Sequence, residues 1–301
     1  MIRRSLRAGA VLCVVGALAL ALLQLSTAGS VATVRTWVRA ERLWSRDLPI
    51  DAGRGLLRRL EPALTTVSLL RPVRVAIEPG VSLLLDPADD ISRTILVSRR
   101  GVWEPEVWAA IEEQLPTGGV FLDVGAHIGY DALKAAVRVG VNGQVIAFEP
   151  NPRTADALRA NVAASDAGNV VVQQIACSDT ETDLAFFDSV GGNSGASSLA
   201  ADNAGRARSA FTVRARPIDA VLTELAVTRV DAIKADVEGA ELLVLRGAQQ
   251  TLRRWHPRLI LEVVPRQLAN MGTSVEELEQ LIWSLGYTRS AQVDYKNRMY
   301  W

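Results

Sequence analysis

The stretch Phe121-Leu122-Asp123-Val124-Gly125-Ala126-His127-Ile128-Gly129-Tyr130 decides how this chain is read. An apolar run ends in an acid, turns through two glycines and enters a helix-like segment, Asp131 to Val139. A second apolar run, Val145 to Phe148, then ends in Glu149. Strand, glycine turn, helix, strand, acid is the order in which a parallel sheet builds a nucleoside pocket. The glycines Gly125 and Gly129 let backbone approach a ligand closely, and Glu149 is placed to take both hydroxyls of a ribose.

The spacing also says which nucleoside. A dinucleotide fingerprint needs a middle glycine, and His127 stands there instead. Asp123 just ahead of the turn would repel a pyrophosphate, whereas it suits the ammonium of an amino-acid-bearing ligand. S-adenosylmethionine has no phosphate and carries a sulfonium, an ammonium and a ribose diol, so it fits these residues better than NAD. A nicotinamide oxidoreductase fails on both points.

A third segment, Val230 to Glu241, reads as a buried strand closing in Asp236, followed by a turn and the helix Ala240 to Gly247. Ligands of open parallel sheets lie beyond the carboxyl ends of the strands, so Asp123, Glu149 and Asp236 should converge on one crevice. The competing reading is that these acids cap the helices that follow them.

With these segments in hand, the chain resembles the FkbM-type S-adenosylmethionine-dependent methyltransferases. The resemblance rests on FLDVGAHIGY, AFEPNP (147–152), ACSD (176–179), SSL (197–199), KADVEGAE (234–241) and the strand Leu259 to Val263, and it covers about Val75 to Val263. His127 departs from the usual Asn of the glycine turn, and Ala235 from a larger aliphatic. The resemblance implies a Rossmann-like α/β fold, mostly parallel with flanking helices, and O-methylation of hydroxyls on polyketides, sugars or glycolipids. It also implies that a hairpin, 73–77 with 81–85, covers the cofactor crevice, and that Glu104 reaches it.

The expected cofactor-binding residues are Asp123 (amino-acid end), Gly125 and Gly129 (close approach), Glu149 (ribose), Asp179 or the backbone of 176–178 (adenine), and Asp236. For a catalytic base the candidates are Asp236, Glu238 and His127, with a base-free mechanism also open, because an activated methyl donor needs mainly alignment. Asp236, Glu238 and Glu241 raise the thought of a metal, but no complete ligand set follows from spacing, and none is expected. His256, ahead of its strand, falls at the wrong edge of the sheet. Lys234 lies inside a strand, where a solvated position is the default and an acid such as Glu262 the alternative partner.

Composition sets outer bounds. Acidic and basic residues balance at 33 each, so there is no electrostatic case for nucleic acid. The only lysines are Lys134, Lys234 and Lys296 among many arginines, which reads as compositional bias. Cys13 and Cys177 are too far apart in context to suggest a bridge. Residues 8–34 read as an apolar membrane anchor behind Arg3, Arg4 and Arg7, with a cleaved signal as the alternative. Residues 35–72 read as a helical juxtamembrane region and 73–301 as the methyltransferase domain. A methyl donor made in the cytoplasm argues for a cytoplasmic catalytic domain. The acceptor is expected to be a small molecule or glycolipid near the membrane. The oligomeric state is left open. The polar loop Ser189 to Ser198 is expected to be a lid or acceptor-binding segment, a disordered insertion being the alternative. The reading outside this class is a non-catalytic or exported binding protein that retains the fold.

Overall fold

The computed structural model describes residues 72–98, 102–189, 193–204 and 207–301. The expected anchor at 8–34 and the juxtamembrane region lie outside the described residues. Among the described residues, no helix is long and apolar enough to cross a membrane.

Two compact units divide the chain: residues up to Val75 with Leu84–Gly101, and Ala76–Leu83 with Val102–Trp301. The described part of the first carries α1 (Asp90–Val97), whose N-cap Asp89 accepts from the Ser92 backbone N–H at 2.8 Å. The strands β1 (Val73–Glu78) and β2 (Val81–Leu85) form a two-stranded sheet.

The second unit holds α2 (Pro105–Gln114), β3 (Val120–Val124), α3 (Tyr130–Val139), β4 (Gln144–Phe148), α4 (Pro152–Ala163) and β5 (Val170–Gln173). A small sheet follows, of β6 (Ala176–Cys177), β7 (Thr182–Ser189) and β8 (Ala207–Arg216), in the order β6-β8-β7. The chain then returns through α5 (Ile218–Glu224), β9 (Ala232–Ala235), α6 (Glu241–Arg246), α7 (Gln249–Trp255) and β10 (Arg258–Glu262). It ends in α8 (Pro265–Asn270), α9 (Val275–Ser284), β11 (Ser290–Gln292) and β12 (Asn297–Tyr300).

The main sheet has seven strands in the order β11-β12-β10-β9-β3-β4-β5. The five from β10 to β5 are parallel, and β12 runs antiparallel to β10. Chain order reverses between β3 and β9, since β4 and β5 extend one way and β10 the other. That switch point opens a crevice above the carboxyl ends of the strands. The middle of the sheet reads as runs rather than alternations (FLDV, VIAF, AIKA, LILE, all buried) because helices cover both of its faces. Leu122, Ile146, Ile233, Leu242, Leu252 and Ile282 lie in one continuous apolar cluster. This is the expected Rossmann-like methyltransferase architecture.

Two expectations need correction. A central strand covered on both faces has no solvent side, so Lys234 is buried, and its partners are Asp131 (3.1 Å) and Asp236 (3.8 Å) rather than Glu262. Nor does residue stretch 76–83 line the cofactor crevice. The Gly80 carbonyl accepts from the Asp166 backbone N–H, and the Ser82 N–H donates to Ser165 Oγ, just ahead of β5 and so towards the amino edge of the sheet.

Candidate active site

The glycine turn is built by close approach. Gly125 has φ +84°, and a Cβ there would stand 2.0 Å from the Asp236 carbonyl oxygen. Gly129, the N-cap of α3, has φ +91°, but its missing Cβ makes room for Leu158 of α4 at 2.4 Å. It packs helix on helix and is not among the residues lining the pocket. Gly125→Ala should therefore unfold or severely destabilise the protein, because rigid backbone opposes the methyl. Gly129→Ala should cost less, since Leu158 has a movable end, and should leave cofactor affinity intact. Chemical unfolding with ligand titration separates the two; equal losses would contradict these roles.

None of the three strand-end acids caps a helix. Asn151 caps α4, accepting from the Arg153 N–H, and α3 and α6 have no side-chain cap. Glu149 instead accepts from two backbone N–H groups, His127 to Oε2 and Asn151 to Oε1, both at 2.9 Å. Burial pushes its carboxyl up to about 7, against those two hydrogen bonds. Asp123 is fully buried, and neither of its oxygens has a hydrogen-bond partner among the described residues. Burial raises it to about 7 despite the nearby Lys234.

Glu149 and Asp236 both line one pocket, with Val124, Gly125 and His127 along the glycine turn. Its apolar wall comes from Phe148, Ile175, Ala176, Cys177, Phe186 and Leu199. Asp179 is exposed and outside the lining, while Ala176 and Cys177 of the same motif face the pocket. Of the expected lid loop, Ser194, Gly195 and Ser197 are lining residues. His127 reaches across to it, its Nε2 lying 2.6 Å from Ser194 Oγ. The loop is also tied down from behind, as Ser198 Oγ donates to the Glu238 carbonyl at 3.0 Å. His127 thus joins the glycine turn to the loop, a fastening role its sequence position did not suggest.

Beyond Asp236 the structure gathers residues that sequence spacing left scattered. Lys296, from the turn before β12, lies 2.8 Å from Glu262, 3.0 Å from Glu104 and 3.9 Å from Asp236. Burial alone would raise Asp236, but Lys234 and Lys296 hold it below the usual carboxylate range. Glu238 is raised to about 8 by burial and then by Asp236, and the Gln267 amide donates to it. Glu241 faces away and closes its own turn, accepting from the Val237 and Gly239 N–H groups. Of the five non-glycine residues with positive φ among the described residues, Glu104, His127 and Glu238 (39°, 52° and 54°) lie here, while Ala226 and His256 lie elsewhere. His256 lies where expected, at the other edge, its Nε2 3.2 Å from the Leu285 carbonyl.

Lysine scarcity therefore carried a signal. Lys134, Lys234 and Lys296 each pair with a carboxylate in the folded core or at its margin.

Residues 123–289 match the family model described as the methyltransferase FkbM domain. The chain belongs to the FkbM methyltransferase family. Family membership makes S-adenosylmethionine the cofactor, and the pocket suits it. Glu149 lines the pocket with carboxylate oxygens that can accept from a diol, whereas Asp123 lies fully buried behind the lining. Among relatives of this FkbM chain, the antimetabolite synthetase AmbE of Pseudomonas aeruginosa is 29% identical over 226 residues, 64% of this chain and 10% of that protein. Hexuronic acid methyltransferase AglP of Haloferax volcanii is 28% identical over 150 residues, 50% of this chain and 58% of its own length. The chain thus spans little more than half of one curated relative and a small part of the other. A solved FkbM methyltransferase from Methylobacillus flagellatus superposes with a TM-score of 0.42 at 17% identity, covering 82% of this chain and 60% of that one.

Proposed function

We propose that this protein transfers a methyl group from S-adenosylmethionine to a hydroxyl of a sugar, a glycolipid or a lipid-linked intermediate. The observation that carries this reading is the group of oxygen acceptors beside Asp236, at the edge of the cofactor pocket. Glu104 Oε2, Glu262 Oε2 and Gln267 Oε1 are buried and have no hydrogen-bond partner among the described residues. A ligand rich in hydroxyl donors would satisfy them. The hexuronic acid named for AglP points to the same class.

The cofactor supplies an already activated methyl group. The protein's part is then to align and to keep water out. Glu149 takes the ribose diol, and Asp123 the ammonium of the amino-acid end. Apolar residues from Phe148 to Phe186 flank the base, and the His127–Ser194 contact closes the loop over it. Asp236, held ionised by two lysines, accepts from the incoming hydroxyl and fixes its line of attack. His127 acts as a fastener of the loop and Glu238 as a wall of the acceptor site. The apolar run 8–34 would bring a lipid-linked acceptor to the domain from the membrane, with the catalytic domain on the cytoplasmic side.

The test is a mass-spectrometric screen of hexoses, hexuronic acids and glycolipids with the full chain and isotopically labelled S-adenosylmethionine. Label on a hydroxyl oxygen of a sugar or glycolipid is the expected product. Label only on amines would overturn the hydroxyl assignment. S-adenosylhomocysteine binding without turnover of any acceptor would favour a binding protein that keeps the fold. Deleting residues 1–30 should slow turnover of a lipid-linked acceptor and spare a soluble one; equal effects on both would remove the membrane half of the proposal.

A further inference from the structure

We propose that Asp236, Glu238 and Glu262 hold a divalent cation of oxygen-seeking character, magnesium or manganese, which receives the acceptor. The proposal rests on the hydroxyl-methylating reading above and extends it to the way the acceptor is held.

Backbone geometry brings the three carboxylates together. Asp236 directly follows β9, and Glu262 ends β10, its parallel neighbour, so both emerge side by side at the carboxyl edge of the sheet. Glu238 is turned back towards them by a left-handed φ of 54°. That turn is locked, since a Cβ on Gly239 would stand 2.4 Å from the Gln267 carbonyl oxygen. One oxygen from each acid lies within 4.8 Å of the others. Oxygens on opposite sides of a hard cation are roughly 4.2–4.8 Å apart, twice a bond of about 2.1–2.4 Å. The trio therefore matches the size of such an ion with little movement of the side chains.

A second observation separates this group from an ordinary acidic cluster. Glu262 is 2% exposed; Lys296 engages its Oε1, and its Oε2 has no donor among the described residues. Gln267 is anchored through its amide nitrogen to Glu238 while its Oε1 has no partner either. Together with Glu104 Oε2, every unpartnered polar atom here is an oxygen acceptor. Buried oxygens without donors call for a cation or for hydroxyl hydrogens.

The shortest carboxylate contact of Lys234 is to Asp131, outside the trio, at 3.1 Å. Lys296 divides its contacts among Glu262, Glu104 and, at 3.9 Å, Asp236. Among the described residues no ammonium lies within ion-pair distance of Glu238, and a divalent ion would serve all three acids at once. Carboxylate and amide oxygens, with no thiolate or imidazole in the set, select magnesium, manganese or calcium over softer metals. Three protein ligands leave coordination positions for two neighbouring oxygens of one acceptor. The substrate class is then a vicinal diol or a hydroxy acid, chelated beside Asp236 at the rim of the cofactor pocket. The ion would fix the attacking oxygen and ease loss of its proton to water.

The experiment is a titration of Mn²⁺ alone into the full chain, with free Mn²⁺ read by electron paramagnetic resonance and Mg²⁺ added as competitor. One saturable site, displaced by Mg²⁺ and weakened at least tenfold in both Glu262→Gln and Glu238→Gln, is the expected result. Asp183→Asn, an exposed acid paired with Arg214, should leave binding unchanged. If one variant fails to unfold cooperatively, the other decides. No saturable site in a folded chain that binds S-adenosylhomocysteine would overturn the cation, as would a site indifferent to both variants. Undiminished methyl transfer in excess EDTA would also overturn it while leaving the proposed function standing. Mn²⁺ bound at this site without S-adenosylhomocysteine binding would support the cation and count against the methyltransferase reading instead.

Discussion

Glu149→Gln should abolish measurable cofactor binding and, at the same time, make the cofactor-free protein more resistant to unfolding at pH 8. Both effects follow from one buried carboxyl. Glu149 accepts two backbone N–H groups, yet burial still lifts it to about 7 from an ordinary value of 4.5. A carboxyl raised on folding favours the native state fully below its unfolded pKa, and that contribution is lost as pH rises through the folded value. The window here runs from about 4.5 to about 7. The full difference amounts to about 3 kcal/mol. Glutamine does not titrate, so the stability gap between variant and wild type should widen by about that amount from pH 4.5 to pH 8. Glu241, also raised to about 7, titrates in both proteins and cancels in the comparison, whereas Asp123, whose charge adds to the rise of Glu149, cancels only in part.

Affinity should move the opposite way. Ribose hydroxyls donate to the ionised carboxylate, so binding favours the charged form and S-adenosylhomocysteine should bind more weakly as pH falls below about 7. In the variant, affinity should fall at least 100-fold, about 2.7 kcal/mol, at pH 8. Urea unfolding across pH and calorimetry in buffers of different ionisation heat read the two arms separately. A variant that binds normally would remove Glu149 from the ribose. One with the wild-type pH profile of stability would show that the carboxyl is not strained in the free protein. The pairing of a destabilising buried charge with a binding role is what a preorganised site requires.

Much of this was legible in the chain, and the reason is local. Strand, turn and acid are contiguous in 121–130, 145–149 and 230–236, so parallel strands, glycine turn and pocket order could be read from spacing. The Ser-x-x-Glu spacing at 274–277 is likewise local, and the structure forms the capping box it encodes, Ser274 and Glu277 each accepting from the other's backbone N–H at the start of α9. The short helices α1, α7 and α8 were not legible, since six to eight residues carry too little periodicity on their own, whereas the equally short α6 is announced by the strand and turn before it. What stayed hidden depends on strand order. Glu262 and Lys296 lie 34 residues apart and meet because β12 folds back antiparallel on β10. The burial of Lys234 likewise follows from β9 lying between β3 and β10, which its own four residues do not reveal. Gly129 shows the reverse limit: its motif was plain, but whether its missing side chain serves ligand or helix depended on Leu158.

The other large effect is expected at Lys234. Its ammonium is buried among acids, 3.1 Å from Asp131 and 3.8 Å from Asp236, with Asp123 on the neighbouring strand β3. Burial opposes its charge, but these carboxylates hold its pKa well above the ordinary value. Lys234→Met keeps most of the side-chain volume and removes the charge, leaving Asp131 and Asp236 buried without their shared partner. Breaking a buried pair from one side costs about 3–5 kcal/mol, far more than the pair adds when both partners are present. Urea unfolding at a fixed pH should register a loss of that size. Adding Asp131→Leu should recover a large part of it, because the nearest stranded charge goes as well and the two apolar side chains face each other across α3 and β9. If Lys234→Met lay within about 1 kcal/mol of wild type, outside the cost expected for a broken buried pair, the lysine would not be the counter-charge of the switch point. If the double variant were no better than the single, the penalty would belong to Asp236 and Asp123 rather than Asp131. Either way the measurement assigns the charge beneath the glycine turn, on which the ionised state of Asp236 and the alignment of the acceptor depend.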